Sequence, residues 1–497
     1  MNKPHFLLLL FSLFIAVLIP KYSLAVESKN VKSMSLAEAV ALALRQNRTV
    51  ESAYLNRILE KFDLIVARDE FNPQISFNVT ANQNAAYNEF RKNHIRSLTK
   101  TVSSNIALNL KTGGSVSFSW DNSDSGQDFN NFDSSLRLSL SQPLLKGAGA
   151  DVATVSQLLA ERAEEMNLLN LQSTLMNTIT SVIRTYRDFL LSQRQLEILE
   201  TSLERSHKQF EETQALIDAG RKPRMSLVYA EVDLANQELI FRNNKSDLDG
   251  SRLALLKILN LDKNMQIEPT ESLDDLTVDS VALDVETLKN IAFNKKLSYL
   301  SAKIGLENAK TNLMLAKNAQ LWDLDFFASY NISGDDSDWA QTQSDITQLK
   351  KGNYSLGLSL VIPFRDLSRK QTLLAAQIGL QQAQLDFAEL QDDIETDLQD
   401  IVRNINVQWE QLELTKRARE LTEKQLEIEM EKFKLGYEGT SNVQIIDFQD
   451  DLVNAENGEV SAKISYLNAL TNLDEFLGTT LETWGVDIES QRDVNLP

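Results

Sequence analysis

The chain has 497 residues, a net charge of −20 and no cysteine. Its acidity argues against nucleic acid as a partner, and the missing cysteine excludes disulfides, thiolate chemistry and an amino-terminal lipidated cysteine. Length alone allows three domains, but an internal duplication makes one large two-repeat unit the better expectation.

The chain opens on Lys3, an apolar run from Phe6 to Ile19, then Pro20 and Ser23-Leu24-Ala25. The last three residues fit the small-x-small rule of signal peptidase, so residues 1–25 read as a signal peptide. The rival reading, a retained anchor, suffers because 14 apolar residues are short for a span. Cleavage removes Lys3 and Lys21 and no acid, leaving a still more acidic chain. No later apolar run has spanning length, so entry into a membrane would be as strands.

The first repeat is assigned to residues 26–261. Ser35-Leu36-Ala37-Glu38 has capping-box spacing; a helix to Asn47 and a second from Thr49 to Glu70 follow, and Asn72-Pro73 ends them. Strands are expected within 73–142: Ile75, Phe77 and Val79, then Ile106, Leu108 and Leu110, then Val116, Phe118 and Trp120, then Leu136, Leu138 and Leu140, each set alternating with polar residues. Residues 83–102 and 121–133 read as long polar loops, whereas Lys111-Thr112-Gly113-Gly114 is a tight turn. Unequal loops of this kind are the habit of outer-membrane barrels; a soluble antiparallel sheet would show the same alternation.

A long helical hairpin is expected over 151–260. Leu175, Ile179, Val182, Tyr186, Phe189, Gln193, Leu196, Glu200, Leu203, His207, Phe210, Gln214 and Ile217 step by threes and fours, a heptad seam. The helix would be about 100 Å long at 1.5 Å per residue. Ala219-Gly220-Arg221-Lys222-Pro223 breaks it, and a return helix runs to Leu259.

Residues 262–284 read as an acidic linker. The second repeat, 285–478, copies the first: helices over 285–295 and 297–320, strands within 323–362 around Leu324, Phe326, Ala328 and Tyr330, a polar loop from Ser333 to Asn353, and a long hairpin over 365–477. The inner positions of its first helix are Phe387, Leu390, Ile394, Leu398, Ile401, Ile405, Trp409 and Leu412, and it breaks at Gly436-Tyr437-Glu438-Gly439. A tail, 479–497, remains, weakly ordered unless Trp484 ties it down.

One phrase occurs twice: S-L-x-L-S-L-x-x-P spans 135–143 and again 355–363. In each copy a strand pattern stops at a proline, Pro143 or Pro363, and gives way to a long helix. Proline suits the boundary because it cannot donate to a ladder and is tolerated in a helix's first turn.

In lipid every strand edge must be paired, so membrane strands close into barrels, and those start at eight strands. The chain offers six candidates, or four if the hairpin 105–120 lies outside the wall. One copy cannot close a barrel, so copies must associate. The long helices likewise need neighbours along their length, and the polar seam positions Gln193, Glu200 and Gln214 suit a wall around a wet interior. The fold class is therefore mainly α with membrane β, an internally duplicated α-helical coiled-coil barrel continuous with a transmembrane β-barrel.

The mature chain resembles the TolC-like outer-membrane efflux proteins. The resemblance is carried by the duplicated order of elements, by Gln142-Pro143-Leu144-Leu145-Lys146-Gly147 and Ala230-Glu231-Val232-Asp233-Leu234, and by the tail Tyr466-Leu467-Asn468-Ala469-Leu470-Thr471-Asn472-Leu473 with Leu477-Gly478-Thr479-Thr480-Leu481. It implies a homotrimer in the bacterial outer membrane whose helical barrel crosses the periplasm. It further implies an exit duct, docked to a periplasmic adaptor protein and an inner-membrane pump, of a tripartite efflux or type I secretion system. A trimer would have eighteen strands with the hairpin in the wall and twelve without it; the resemblance favours twelve, the turn and loops eighteen.

The resemblance places adaptor docking at the helix tips, here Gly220, Arg221, Lys222, Pro223, Gly436, Tyr437 and Gly439, and a gate near the second tip. Members often carry an aspartate six residues after each glycine; here Ser226 and Asn442 stand there. Phe433 and Glu438 occupy the places of a tyrosine and an arginine that form a latch. Gate candidates are Asn442, Asp447, Asp450 and Asp451, although an acid on a solvated helix face is the ordinary explanation. No catalytic constellation accompanies His94 or His207, so neither enzyme, cofactor nor metal is expected. The competing reading is a periplasmic coiled-coil scaffold without a pore.

Overall fold

The computed structural model describes residues 32–486 apart from 89–92, 127–129, 275, 277 and 436–441. The expected signal peptide therefore lies outside the described residues.

The first repeat opens with β1 (Lys32–Met34), α1 (Leu36–Gln46) and α2 (Arg48–Asp69). The capping box is formed: the Ser35 amide donates to Glu38 Oε2 at 2.9 Å and the Glu38 amide to Ser35 Oγ at 3.2 Å. Four strands follow, β2 (Gln74–Asn88), β3 (Asn93–Asn109), β4 (Ser115–Gly126) and β5 (Asn130–Pro143). Then come α3 (Ala150–Ala153), the 64-residue α4 (Val155–Asp218), the return helix α5 (Met225–Ile258) and β6 (Ile267–Pro269). The second repeat has α6 (Val285–Lys295), α7 (Leu297–Asn318), β7 (Asp323–Asp336), α8 (Trp339–Thr347), β8 (Gly352–Val361), the 69-residue α9 (Leu367–Leu435), α10 (Asn442–Leu477) and α11 (Thr480–Thr483).

Each repeat has its own core, set where short helices flank the long ones. In the first, Leu175, Ile179, Val182, Ile183 and Tyr186 of α4 meet Ala39, Val40 and Ala43 of α1 and Leu255 and Leu256 of α5. In the second, Ile394, Leu398, Ile405 and Leu412 of α9 meet Tyr466, Ala469 and Leu473 of α10. Each core buries a tyrosine whose hydroxyl donates to a backbone carbonyl at 2.9 Å, Tyr186 to Met34 and Tyr466 to Asp279, so neither leaves a polar group unpaired. Polar contacts join the repeats: the Arg187 guanidinium donates to Asn468 Oδ1 at 3.0 Å and Thr471 Oγ1 at 2.8 Å.

Three local expectations are corrected. Residues 83–102 and 121–133 are largely strand, because β2 to β5 run on past their apolar segments. The second-repeat loop holds α8. The stretch 262–284 is docked rather than a bare linker: β6 pairs in parallel with β1, Leu273 is buried in the first core, and Glu271 accepts from the Leu36 amide at 3.0 Å and from the Tyr186 hydroxyl. The start of the tail is packed through Trp484, the residue expected to tie it down, with Leu481 and Val486 beside it against the first core.

The seam of α4 also departs from the expected heptad. It holds from Leu175 to Phe189, but beyond it the buried residues are Leu190, Ile198, Leu199, Ser202, Ser206, Gln209 and Thr213, while Glu200 and His207 are exposed. The reason is steric. Small polar side chains let α4 and α5 approach closely and bond across the gap, Ser202 to Gln237 and Ser206 to Asp233, so the larger Leu203, Phe210 and Ile217 are left half-buried.

Candidate functional site

One six-stranded antiparallel sheet has the order β2-β3-β4-β5-β7-β8. Its two faces differ completely in chemistry. Register puts Ile106, Phe118, Leu138 and Tyr330 in one row and Leu108, Val116, Leu140, Ala328 and Leu356 in the next. The opposite face carries Asn105, Ser119, Arg137 and Asn331 in one row and Ala107, Ser117, Ser139, Ser329 and Ser355 in another. Successive residues of a strand point to opposite sides, so the alternation makes one face oil and the other hydroxyl and amide. The apolar face is bare in the single chain; Phe77 is 73% exposed and Tyr354 80%.

Beyond the apolar rows the same face turns polar, with Lys100 paired to Asp124 at 3.3 Å. There α8 lies across β5 and β7. Gln343 donates to Asn122 Oδ1 at 3.0 Å, Ser134 donates to Asn122 at 2.7 Å, and Phe132 meets Trp339 edge-on at 5.9 Å. A Cβ on Gly334 would sit 2.5 Å from the Thr342 carbonyl oxygen. This helix, absent from the sequence expectation, supplies a donor to the buried Asn122 side chain on that polar part of the face.

Both prolines sit at the end of the sheet that leads into the long helices. Pro143 is the last residue of β5 and Pro363 follows β8. Neither is in a helix's first turn as expected: residues 144–149 follow Pro143 and residues 364–366 follow Pro363 before a helix begins, and Gly147, Gly149 and Arg365 take left-handed backbone there. The two junctions meet at Asp323, which binds Lys146 at 3.0 Å and Arg369 at 2.8 Å. The turn between β3 and β4 docks at the same level. Gly149 N–H donates to the Thr112 carbonyl at 3.1 Å and the Gln142 amide to the same oxygen at 3.1 Å. A Cβ on Gly113 would fall 2.1 Å from the Gly147 carbonyl oxygen.

The long helices pack in the order α5, α4, α10, α9. First-repeat members stand at one side and second-repeat members at the other, as in the sheet. The outermost helices carry bare apolar rows. Val407, Leu414, Leu421 and Ile428 of α9 recur every seventh residue and are exposed, as are Met225, Val232, Leu239 and Leu253 of α5.

At the first tip Gly220 takes φ +70° and accepts no neighbour within 4 Å of a built Cβ, while its amide donates to Ile217 and that of Arg221 to Leu216, closing the helix end. Lys222 Nζ stands 3.7 Å from the centre of the Phe433 ring of α9, and burial lowers its pKa. Pro223 precedes α5, its carbonyl accepting from Ser226. Gly436, Tyr437, Glu438 and Gly439 lie outside the described residues, and Asn442 is the first residue of α10. The acidic candidates separate. Asp447 and Asp451 are exposed on the protomer, whereas Asp450 faces α5, accepting from Gln237 at 2.9 Å. Burial, then the neighbouring Asp233 charge, raises the Asp450 pKa. Asp450 thus belongs to a buried polar link between the two hairpins, which spacing alone did not reveal.

No described helix is long and apolar enough to cross a membrane, and no cluster of metal-ligating side chains occurs among the described residues.

Comparison with known proteins follows from this geometry. Residues 39–261 match the family described as Outer membrane efflux protein. Among solved structures, the CmeC outer membrane channel of Campylobacter jejuni is similar at 13% identity and TM-score 0.66, covering 90% of this chain and 86% of CmeC. The open-state MtrE outer membrane channel of Neisseria gonorrhoeae is similar at 15% identity and TM-score 0.65, covering 90% and 89%. The outer membrane protein VceC of Vibrio cholerae is similar at 12% identity and TM-score 0.66, covering 89% and 96%. No curated protein sequence matches. These relatives are channels rather than enzymes. The match over the first repeat is thus to the outer membrane efflux protein family, and the fold over both repeats is that of TolC-like outer membrane channels.

Proposed function

We propose that the chain is the exit duct of a tripartite efflux or type I secretion system. Three copies form a β-barrel in the bacterial outer membrane and an α-helical barrel in the periplasm, reached after removal of a signal peptide within residues 1–25. The carrying observation is the sheet with one apolar and one hydroxyl-and-amide face, joined through short connections to helices about 100 Å long.

Two further observations support closure by copies. The single chain exposes 32510 Å², against about 18,000–19,000 Å² for a compact monomer of its mass. The unpartnered rows of α5 and α9 also stand on opposite sides of the protomer, the arrangement of a head-to-tail ring. The duct conducts passively, and the driving energy comes from the pump. The tips at Gly220, Arg221, Lys222, Pro223, Gly436, Tyr437 and Gly439 take the adaptor, since a helix end offers free backbone groups. Asp447 and Asp451, with Asn442 and Asp450 behind them, form the gate region.

The test is twofold: gel migration that changes on heating, and ion leakage from liposomes bearing the full-length protein. A closed trimeric barrel gives both. A scaffold without a pore gives neither, and that outcome would remove the duct reading.

A further inference from the structure

Resting on that reading, we infer that the hairpin β3–β4 is part of the pore wall, so that three copies close a barrel of eighteen strands, β8 of each pairing with β2 of the next. The sheet leaves no alternative place for the hairpin. β3 is the sole strand partner of β2 in the sheet order, pairing from Gln74↔Ala107 to Asn88↔Asn93, and β4 is the partner of β5 on that side. Lifting the hairpin out would strand β2 with two open edges, which lipid does not tolerate.

The hairpin also carries the facial chemistry of a wall. Ile106 and Leu108 of β3 and Val116, Phe118 and Trp120 of β4 lie in the same apolar rows as Leu136, Leu138 and Leu140. Ser103, Ser117 and Ser119 face the polar side. An external loop would have no reason to keep oil and hydroxyl on opposite faces. The β3–β4 turn, moreover, is locked into the strand-to-helix junction through Thr112, Gly113, Gly147 and Gly149, which fixes the hairpin's foot at the level where the wall itself ends.

Girth gives an independent argument. Six strands spaced about 4.8 Å and tilted about 40° occupy about 38 Å of circumference per copy, whereas four would occupy about 25 Å. Four helices at about 9.5 Å centre to centre occupy about 38 Å. With the hairpin in the wall, the membrane barrel and the helical barrel have equal girth, and the duct enters the membrane without narrowing. Serine on the inner face keeps the bore close to backbone width. The edges fit as well: β8 descends to α9 and β2 ascends from α2, so neighbouring copies meet as antiparallel strands.

The chain has no cysteine, so single cysteines can be placed in turn at residues 115–119 of the full-length protein in liposomes and challenged with a membrane-impermeant maleimide. Labelling is expected at S115C, S117C and S119C and lost at V116C and F118C. A second scan pairs one cysteine on β2 with one on β8, and disulfide-linked dimers and trimers are expected at matching heights. Uniform labelling along 115–119 in a protein that still conducts ions overturns the eighteen-strand wall and leaves the duct standing. Absence of conductance from the unsubstituted protein overturns both.

Discussion

Asp450 shows how a single carboxyl can join two hairpins. It sits between α10 and α5, bonded to Gln237, with Asp233 beside it and Asp447 and Asp451 on its own helix; Ser206 holds the far side of Asp233. Burial and these like charges raise its pKa, so the folded chain keeps this proton to a higher pH than the unfolded chain does. The link is therefore strongest in acid and weakens as pH rises through the folded pKa. D450N removes the charge and keeps the bond to Gln237. The variant is expected to melt higher than the parent at neutral pH, with the gap closing in acid; an equal gap at every pH would show that titration of Asp450 is not involved.

Gly113 is the other residue on which much depends. Its φ of +91° and the Gly147 carbonyl 2.1 Å from where a Cβ would fall leave no room for alanine. G113A is expected to cost about 2–4 kcal/mol, seen as a lower melting temperature of the assembled protein, whereas G250A, on an open helix surface, is expected to be neutral or slightly stabilising.

Among the elements, the long helices and their breaks were legible because periodicity over dozens of residues averages out local exceptions. The ends of the helices that were expected fall within a few residues of their expected places. Strand cores were legible for the same reason, as Leu136, Leu138 and Leu140 show. What escaped were stretches where the periodic signal vanishes. Above the apolar rows β2 to β5 are polar on both faces, so sequence could not distinguish them from loops. β1 and β6 are three residues each, too short for any period. In α4 the seam passes to Ser202, Ser206, Gln209 and Thr213 because closeness rather than hydrophobicity decides there. At the site, the break at the first tip was marked by Gly220 and Pro223. The pairing of Lys222 with Phe433 was not legible, since nothing in sequence brings residues of different hairpins together. That contact uses Phe433, which stands in the place of the latch tyrosine, and ties the first tip to α9. F433L is expected to weaken it by about 0.5–2 kcal/mol, measured as faster hydrogen exchange at residues 219–224; unchanged exchange would show that the stacking holds nothing.

For the whole molecule, the decisive feature is that one order, first repeat then second repeat, governs both sheet and helices. In the proposed trimer the contact of α4 with α10 inside a chain would have its counterpart between chains, α9 of one copy meeting α5 of the next. L414E and L421E place charges in that seam and are expected to abolish trimers while leaving the cores around Tyr186 and Tyr466 intact, as read by sedimentation and by retained helical signal. A trimer that survives both changes would move the interface elsewhere. The claim beneath all of this is that the chain builds a continuous water-filled tube. Single-channel recording of the full-length protein in a planar bilayer tests it most directly: the account predicts discrete, long-lived conductance steps from trimers, and trimers that insert yet pass no current under any voltage or salt would contradict it.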